Sequence, residues 1–149
     1  MPATDAARAR WISALAQADP AAVEAAWAEL ASRPAYRLLR APETGLVMVR
    51  GRAGGTGAPF NLGEMTVTRC SVELGEGRVG HAYVAGRDPR HAEAAAVLDA
   101  MLQDPAGRAV LETAVVEPLV AARAARQRAA RDQADATRVE FFTMVRGEE

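Results

Sequence analysis

Gly86-Arg87-Asp88-Pro89-Arg90-His91-Ala92-Glu93 is the stretch on which the fold turns. Before it, Arg78–Ala85 reads as a strand. After it, residues 89–103 place Ala92, Ala95, Ala96, Leu98, Met101 and Leu102 over one broad helical face. Asp88 suits the N-cap, because its carboxylate can accept from the N–H groups that a first helical turn leaves free. Pro89 suits the first helical position, where a missing N–H costs nothing. Arg87, Arg90 and His91, beside the Asp88 cap, therefore gather at the positive end of a helix, a place where an anion can sit. A capped helix with a solvated basic collar is the plainer reading of the same residues, and both stay open.

Upstream, the spacing predicts an antiparallel meander of four strands. Tyr36–Arg40 is short, and Ala41-Pro42-Glu43-Thr44-Gly45 reads as a turn. Leu46–Arg52 follows. Leu62–Leu74 then alternates, with Met65, Val67, Arg69 and Ser71 on one face and Thr66, Thr68, Cys70 and Val72 on the other. Gly75-Glu76-Gly77 signals a hairpin into Arg78–Ala85. These connections are too short for crossovers between parallel strands. Between the second and third strands lies Arg52-Ala53-Gly54-Gly55-Thr56-Gly57. Its glycines allow backbone N–H groups to approach an anion, so Arg52, Gly54, Gly55, Thr56 and Gly57 form a candidate phosphate loop. It is not a Walker loop, since the lysine is missing, and no helix follows to make a dinucleotide fingerprint. A flexible hairpin loop is the alternative.

Helices flank the meander. Residues 5–18 carry Trp11, Ile12 and Leu15 in one stripe with Arg8, and Asp19-Pro20 starts a second helix over 20–31. Trp11 and Trp27 are expected to pack across this pair. Asp104-Pro105 starts another short helix, and Pro118 opens a long one to about Ala136. The arginines of that last helix, Arg123, Arg126, Arg128 and Arg131, read as a solvated face or a partner surface. Residues 138–146, Arg-Val-Glu-Phe-Phe-Thr-Met-Val-Arg, are β-branched and aromatic and predict a closing strand. Val139, Phe141, Phe142, Met144 and Val145 within it need a cover, from this sheet or from a partner's. The prediction is one α+β domain over residues 1–149: a helical pair, an antiparallel meander, C-terminal helices and a final strand.

Composition narrows the function. At 149 residues the chain buries roughly 70% of its unfolded surface, enough for a core without staples. A net charge of −1 argues against binding nucleic acid through overall charge. All 18 basic residues are arginine, so lysine chemistry is excluded. One cysteine, Cys70, excludes an internal disulfide and a multi-cysteine zinc site. No apolar run reaches membrane-spanning length and no signal segment leads the chain, so the expected location is cytoplasmic. His91-Ala92-Glu93 copies half of a zinc-deaminase signature whose cysteine pair is absent. A metal site from His81, His91, Asp88 and Cys70 has no supporting spacing, so no metal is expected.

A magnitude weighs the phosphate idea. If the glycine loop and the helix start converged on one polyphosphate, the helix terminus would add about 1 kcal/mol. Two charge-assisted arginine contacts would add about 1.5–3 kcal/mol each. The total, about 4–7 kcal/mol, corresponds to a Kd between roughly millimolar and 10 μM. That is weak for a self-sufficient enzyme and points to a partner-dependent subunit.

Several stretches bring a family into view. They are Arg8 with Trp11; Glu43-Thr44-Gly45-Leu46-Val47; Arg52-x-Gly54-Gly55-Thr56-Gly57; Thr68-Arg69; Gly86-Arg87-Asp88 with His91-Ala92-Glu93; and Arg138-Val139 with Phe141-Phe142-Thr143-Met144-Val145-Arg146-Gly147. Together they run almost end to end, and the chain resembles PhnG, a subunit of the bacterial carbon–phosphorus lyase machinery. The resemblance implies a core complex with PhnI, PhnH and PhnJ, and cooperation with PhnL. It implies transfer of the ribose 5-triphosphate unit of MgATP to an alkylphosphonate such as methylphosphonate, with release of adenine. It further implies that PhnI carries the nucleosidase-like chemistry and PhnJ the later radical step. This chain would then be a structural partner of PhnI that binds no cofactor alone, MgATP being a substrate of the complex. Its glycine loop and Arg87–His91 would be structural or lie near a shared phosphate pocket. Self-association of the isolated chain stays open.

Two other classes remain readable from the residues. One is a stand-alone phosphate- or phosphonate-binding protein using the same loops. The other is an independent hydrolase with His91 as base and Asp88 orienting it.

Overall fold

The computed structural model describes residues 4–30 and 33–139. Two short helices, α1 (Asp5–Ala16) and α2 (Pro20–Glu29), open the chain. Thr4 caps the first by accepting from the Ala7 N–H, and Asp19 caps the second by accepting from Ala21. Three strands follow: β1 (Tyr36–Gly51), β2 (Phe60–Leu74) and β3 (Arg78–Ala85), an antiparallel sheet in the order β1-β2-β3. Then come α3 (Pro89–Leu102), the single turn α4 (Arg108–Leu111), a π-helical turn over Glu112–Val116 and α5 (Glu117–Ala136).

The expected architecture is present through α5. The expected final strand, and with it Phe141, Phe142, Met144 and Val145, lies outside the described residues from Glu140 onward. Two strands and a turn predicted over 36–52 are instead one strand, β1. Its pairing with β2 slips between Leu38 and Arg40 and again between Arg40 and Glu43, so Ala41-Pro42 becomes a bulge rather than a reversal. Proline is tolerated there because β1 is an edge strand and Pro42 owes no N–H to a further neighbour. Glu43 fastens the bulge by accepting from Arg40 (2.7 Å) and Arg69 (2.6 Å). The short helix and the long one predicted after Asp104 are one helical run. Pro118 has no N–H to bond one turn back, and the π turn just before it absorbs the mismatch.

The core centres on α3, of which ten residues are buried. One side lies on the sheet, against Cys70, Val72, Leu74, Ala82 and Val84; the other is covered by Trp11, Leu15 and Val23 of α1 and α2. A helix covered on both sides needs apolar residues nearly all round, which is why its burial exceeds the single face predicted. Its alanines allow close approach. A Cβ added to Gly80 of β3 would fall 2.0 Å from the Ala96 carbonyl oxygen.

Inside this apolar centre sits one carboxylate. Asp99 is wholly buried and accepts four hydrogen bonds. Oδ1 takes the Trp11 indole N–H (2.8 Å) and Arg8 Nε (3.2 Å); Oδ2 takes Arg8 Nη2 (2.8 Å) and the His81 backbone N–H (2.9 Å). Arg8 Nη2 also donates to the Val79 carbonyl. The contact with Asp99 raises the guanidinium pKa above its usual value, against the opposing effect of burial. One acid thereby joins α1, β3 and α3. Trp11 and Trp27 do not share an environment: Trp11 turns to Asp99, while Trp27 meets Tyr36 edge-on at 6.4 Å.

Candidate functional site

The turn from β3 into α3 is built by three local devices. Gly86 has φ +85°, a conformation that a side chain would strain. Thr68, buried in β2, donates through Oγ1 to the Gly86 carbonyl (2.7 Å) and accepts there from the Asp88 N–H (3.0 Å). Asp88 Oδ1 accepts from the His91 N–H at 3.0 Å, and Pro89 takes the first helical turn.

This geometry decides between the readings of the helix start. The carboxylate of Asp88 already occupies the position an external anion would take. His91 is only 3% exposed, and its Nε2 bonds the Leu15 carbonyl of α1 at 2.8 Å. It is a core histidine clasping α1 to α3. In this arrangement the ring is closed off from solvent, whereas the phosphate expectation for His91 and the hydrolase reading with Asp88 orienting it both need an open ring. Asp88 meets the backbone N–H of His91, and the ring nitrogen is spent on a carbonyl. Arg87 and Arg90 remain exposed beside the turn.

The glycine loop lies elsewhere. It closes the far end of the β1–β2 hairpin, where Gly51 pairs with Phe60. Thr44 pairs with Thr68, at the turn into α3. Seven residue-to-residue steps along the strand lead from Thr44 to Gly51, or about 24 Å at ~3.4 Å per step. Within one chain, Arg52, Gly54, Gly55, Thr56 and Gly57 therefore do not meet Arg87 and Asp88. In the loop, Gly54 takes φ +61° and Arg52 Nη1 donates to the Gly57 carbonyl (3.2 Å). Val139 is exposed just beyond α5.

One cleft among the described residues was not marked by any motif. It encloses about 310 Å³ between α2, the start of β1 and the first turns of α3, lined by Glu24, Trp27, Tyr36, Arg90, Glu93 and the small floor of Ala94 and Val97. Tyr36 donates its hydroxyl to Glu93 at 2.5 Å. That bond, helped by burial, pushes the phenol up to about 12. The Arg33 guanidinium stands over the Trp27 ring, 5.6 Å from its centroid. The cleft can hold a flat or apolar group against two aromatic rings with charges at its rim. Its residues come from three distant stretches, so no local spacing announces it.

Cys70 is buried, and its thiol donates to the Arg40 carbonyl. Burial pushes it up to about 11. The thiol and the Tyr36 phenol both stay neutral in the folded chain beyond the pH at which they ionise unfolded, about 8.5 and 10. Their contribution to stability is present below those values and is lost as pH rises through about 11 and 12. Alkylation of Cys70 by iodoacetamide at pH 8 is expected to be at least ~100-fold slower in the native chain than in denaturant, the factor set by two units of thiolate fraction. Equal rates would mean that the thiol is exposed. Among the described residues no three His, Cys, Asp or Glu side chains are placed to hold a metal ion. No helix of the described residues is long and apolar enough to cross a membrane.

Residues 6–147 match the family described as phosphonate metabolism protein PhnG. The chain is also similar to a curated protein of Rhizobium meliloti (strain 1021), alpha-D-ribose 1-methylphosphonate 5-triphosphate synthase subunit PhnG. The two are 47% identical over 135 residues, covering 91% of this chain and 86% of that protein.

Proposed function

Because the chain belongs to the PhnG family of phosphonate metabolism proteins, we propose that it is an accessory subunit of a synthase that transfers the ribose 5-triphosphate unit of MgATP to an alkylphosphonate, releasing adenine. Its partners in this reading are PhnI, PhnH and PhnJ subunits, with PhnL, and its role is to build and hold the assembly. The observation that carries the proposal is the near end-to-end match to a relative named as a synthase subunit. The geometry agrees with it. His91, Cys70 and Asp99, the residues best suited to chemistry, are turned inward and spent on joining elements. MgATP belongs to the complex as substrate, and in this reading the glycine loop, far from the Arg87–Asp88 turn within one chain, reaches it only beside a partner's residues.

The test is reconstitution. PhnI, PhnH and PhnL are mixed with MgATP and methylphosphonate, with and without this chain, and adenine is measured by chromatography. Adenine release that requires the chain, together with none from the chain alone, is the expected result. Turnover by the isolated chain, or full activity without it, would overturn the proposal.

A further inference from the structure

Beyond the body of the domain, β1 and β2 continue as a two-stranded ribbon. β3 pairs with β2 only from Val67 to Leu74, so among the described residues Gly45–Gly51 and Phe60–Thr66 have no third strand. The ribbon is apolar on both faces. Leu46 and Met48 lie on one, with Thr66 and Glu64 opposite; Val47, Val49 and Met65 lie on the other. Leu46 is 63% exposed, Leu62 61%, Met48 54%, Phe60 45% and Met65 41%. A hairpin of two strands is marginally stable in water unless something packs on it.

We propose that this ribbon is an insertion arm, received on both faces by a groove in a different subunit of the assembly. The inference rests on the subunit reading above and names the surface that reading lacks. Five large side chains about half exposed amount to roughly 400 Å² of apolar surface, comparable to the largest patch on an ordinary monomer. That is also about half of the ~800 Å² each partner contributes to a stable interface, concentrated in one finger.

The geometry selects the occupant. A second copy packed face to face across a two-fold axis would cover one face of the ribbon and leave the other in water. Edge pairing between copies along the base of β1 is limited by Pro42 and the two bulges there. A groove that closes around the finger covers both rows. At the far end the arm carries Arg50 and Arg52, both exposed. The matching groove therefore has apolar walls and an acidic end.

The test uses the complex formed by co-expressing the full chain with the proposed partner subunits. The combined variant Leu46→Asp, Met48→Asp and Met65→Asp is compared with Val110→Asp, at an exposed site on α4. Wild type and Val110→Asp are expected to assemble in fixed stoichiometry, and the arm variant to bind at least 100-fold more weakly. A photoreactive side chain in place of Met48, in an otherwise wild-type chain, is expected to crosslink to a partner subunit. This second measurement decides the matter if the triple variant does not fold. Undiminished assembly of a folded arm variant, or crosslinks only to a second copy or within the chain, would overturn the arm and leave the subunit reading standing. Failure of the wild-type chain to join any partner would instead overturn the subunit reading itself.

Discussion

Replacing Asp99 with alanine is expected to cost about 3–5 kcal/mol, because it strands a buried network rather than one bond. The Trp11 indole N–H is fully buried and loses its acceptor at 2.8 Å. The His81 N–H loses its own at 2.9 Å. Arg8 loses a two-pronged contact, though its guanidinium, about a third exposed, recovers some hydration. At this chain length the loss corresponds to a fall in Tm of roughly 10–15 °C. Arg8→Ala is expected to cost less, since Asp99 keeps two donors. The double variant should fall short of the sum of the singles by about 1 kcal/mol or more. Urea unfolding followed by circular dichroism measures all three. A loss below about 1 kcal/mol for Asp99→Ala would mean that water replaces the donors and that the network does not hold α1 to α3.

Gly80→Ala is expected to be at least as damaging per atom added. The new Cβ would lie 2.0 Å from the Ala96 carbonyl oxygen, 2.7 Å from the Ala100 nitrogen and 2.8 Å from its Cβ. Two of those atoms are helix backbone, so relief requires α3 to move off β3. Overpacking typically costs 1–3 kcal/mol, and a backbone clash in the central helix should reach about 3 kcal/mol or beyond. Gly45→Ala is the control. Nothing lies within 4 Å of its added Cβ, and its stability should be unchanged or a few tenths of a kcal/mol higher. Similar melting temperatures for the two variants would mean that α3 and β3 are not pressed together.

The candidate site was legible only in its local parts. The cap at Asp88, the proline at the first helical position and the strand before them follow from the twelve residues Arg78–Pro89, and the structure forms all three. The burial of His91 was not legible, because sequence gives its neighbours along the chain and not the Leu15 carbonyl, 76 positions away, that accepts a hydrogen bond from its ring. Asp99 left a signal that went unused: it is the lone charge within Ala94–Leu102, and a carboxylate in such company implies buried donors. The Trp27–Tyr36–Glu93 cleft left none, since its walls are assembled from three elements.

The sequence by itself determined the order of helices and strands, the antiparallel sense of the sheet and the alternation that puts Thr68, Cys70 and Val72 in one row; which row faces the core came from the packing of α3. Capping, turn chemistry and alternation act over a few residues and need no partner. It also determined the family, since a match over residues 6–147 is a property of the string alone. Tertiary structure alone decided that Ala41–Gly45 bulges instead of turning, that His91 and Asp99 face inward, and that the glycine loop and the helix start stand about 24 Å apart along the ribbon. Each depends on which surfaces meet across the sheet and the helix layer. That meeting is set by burial and hydrogen-bond satisfaction between residues far apart in the chain, which no local pattern records.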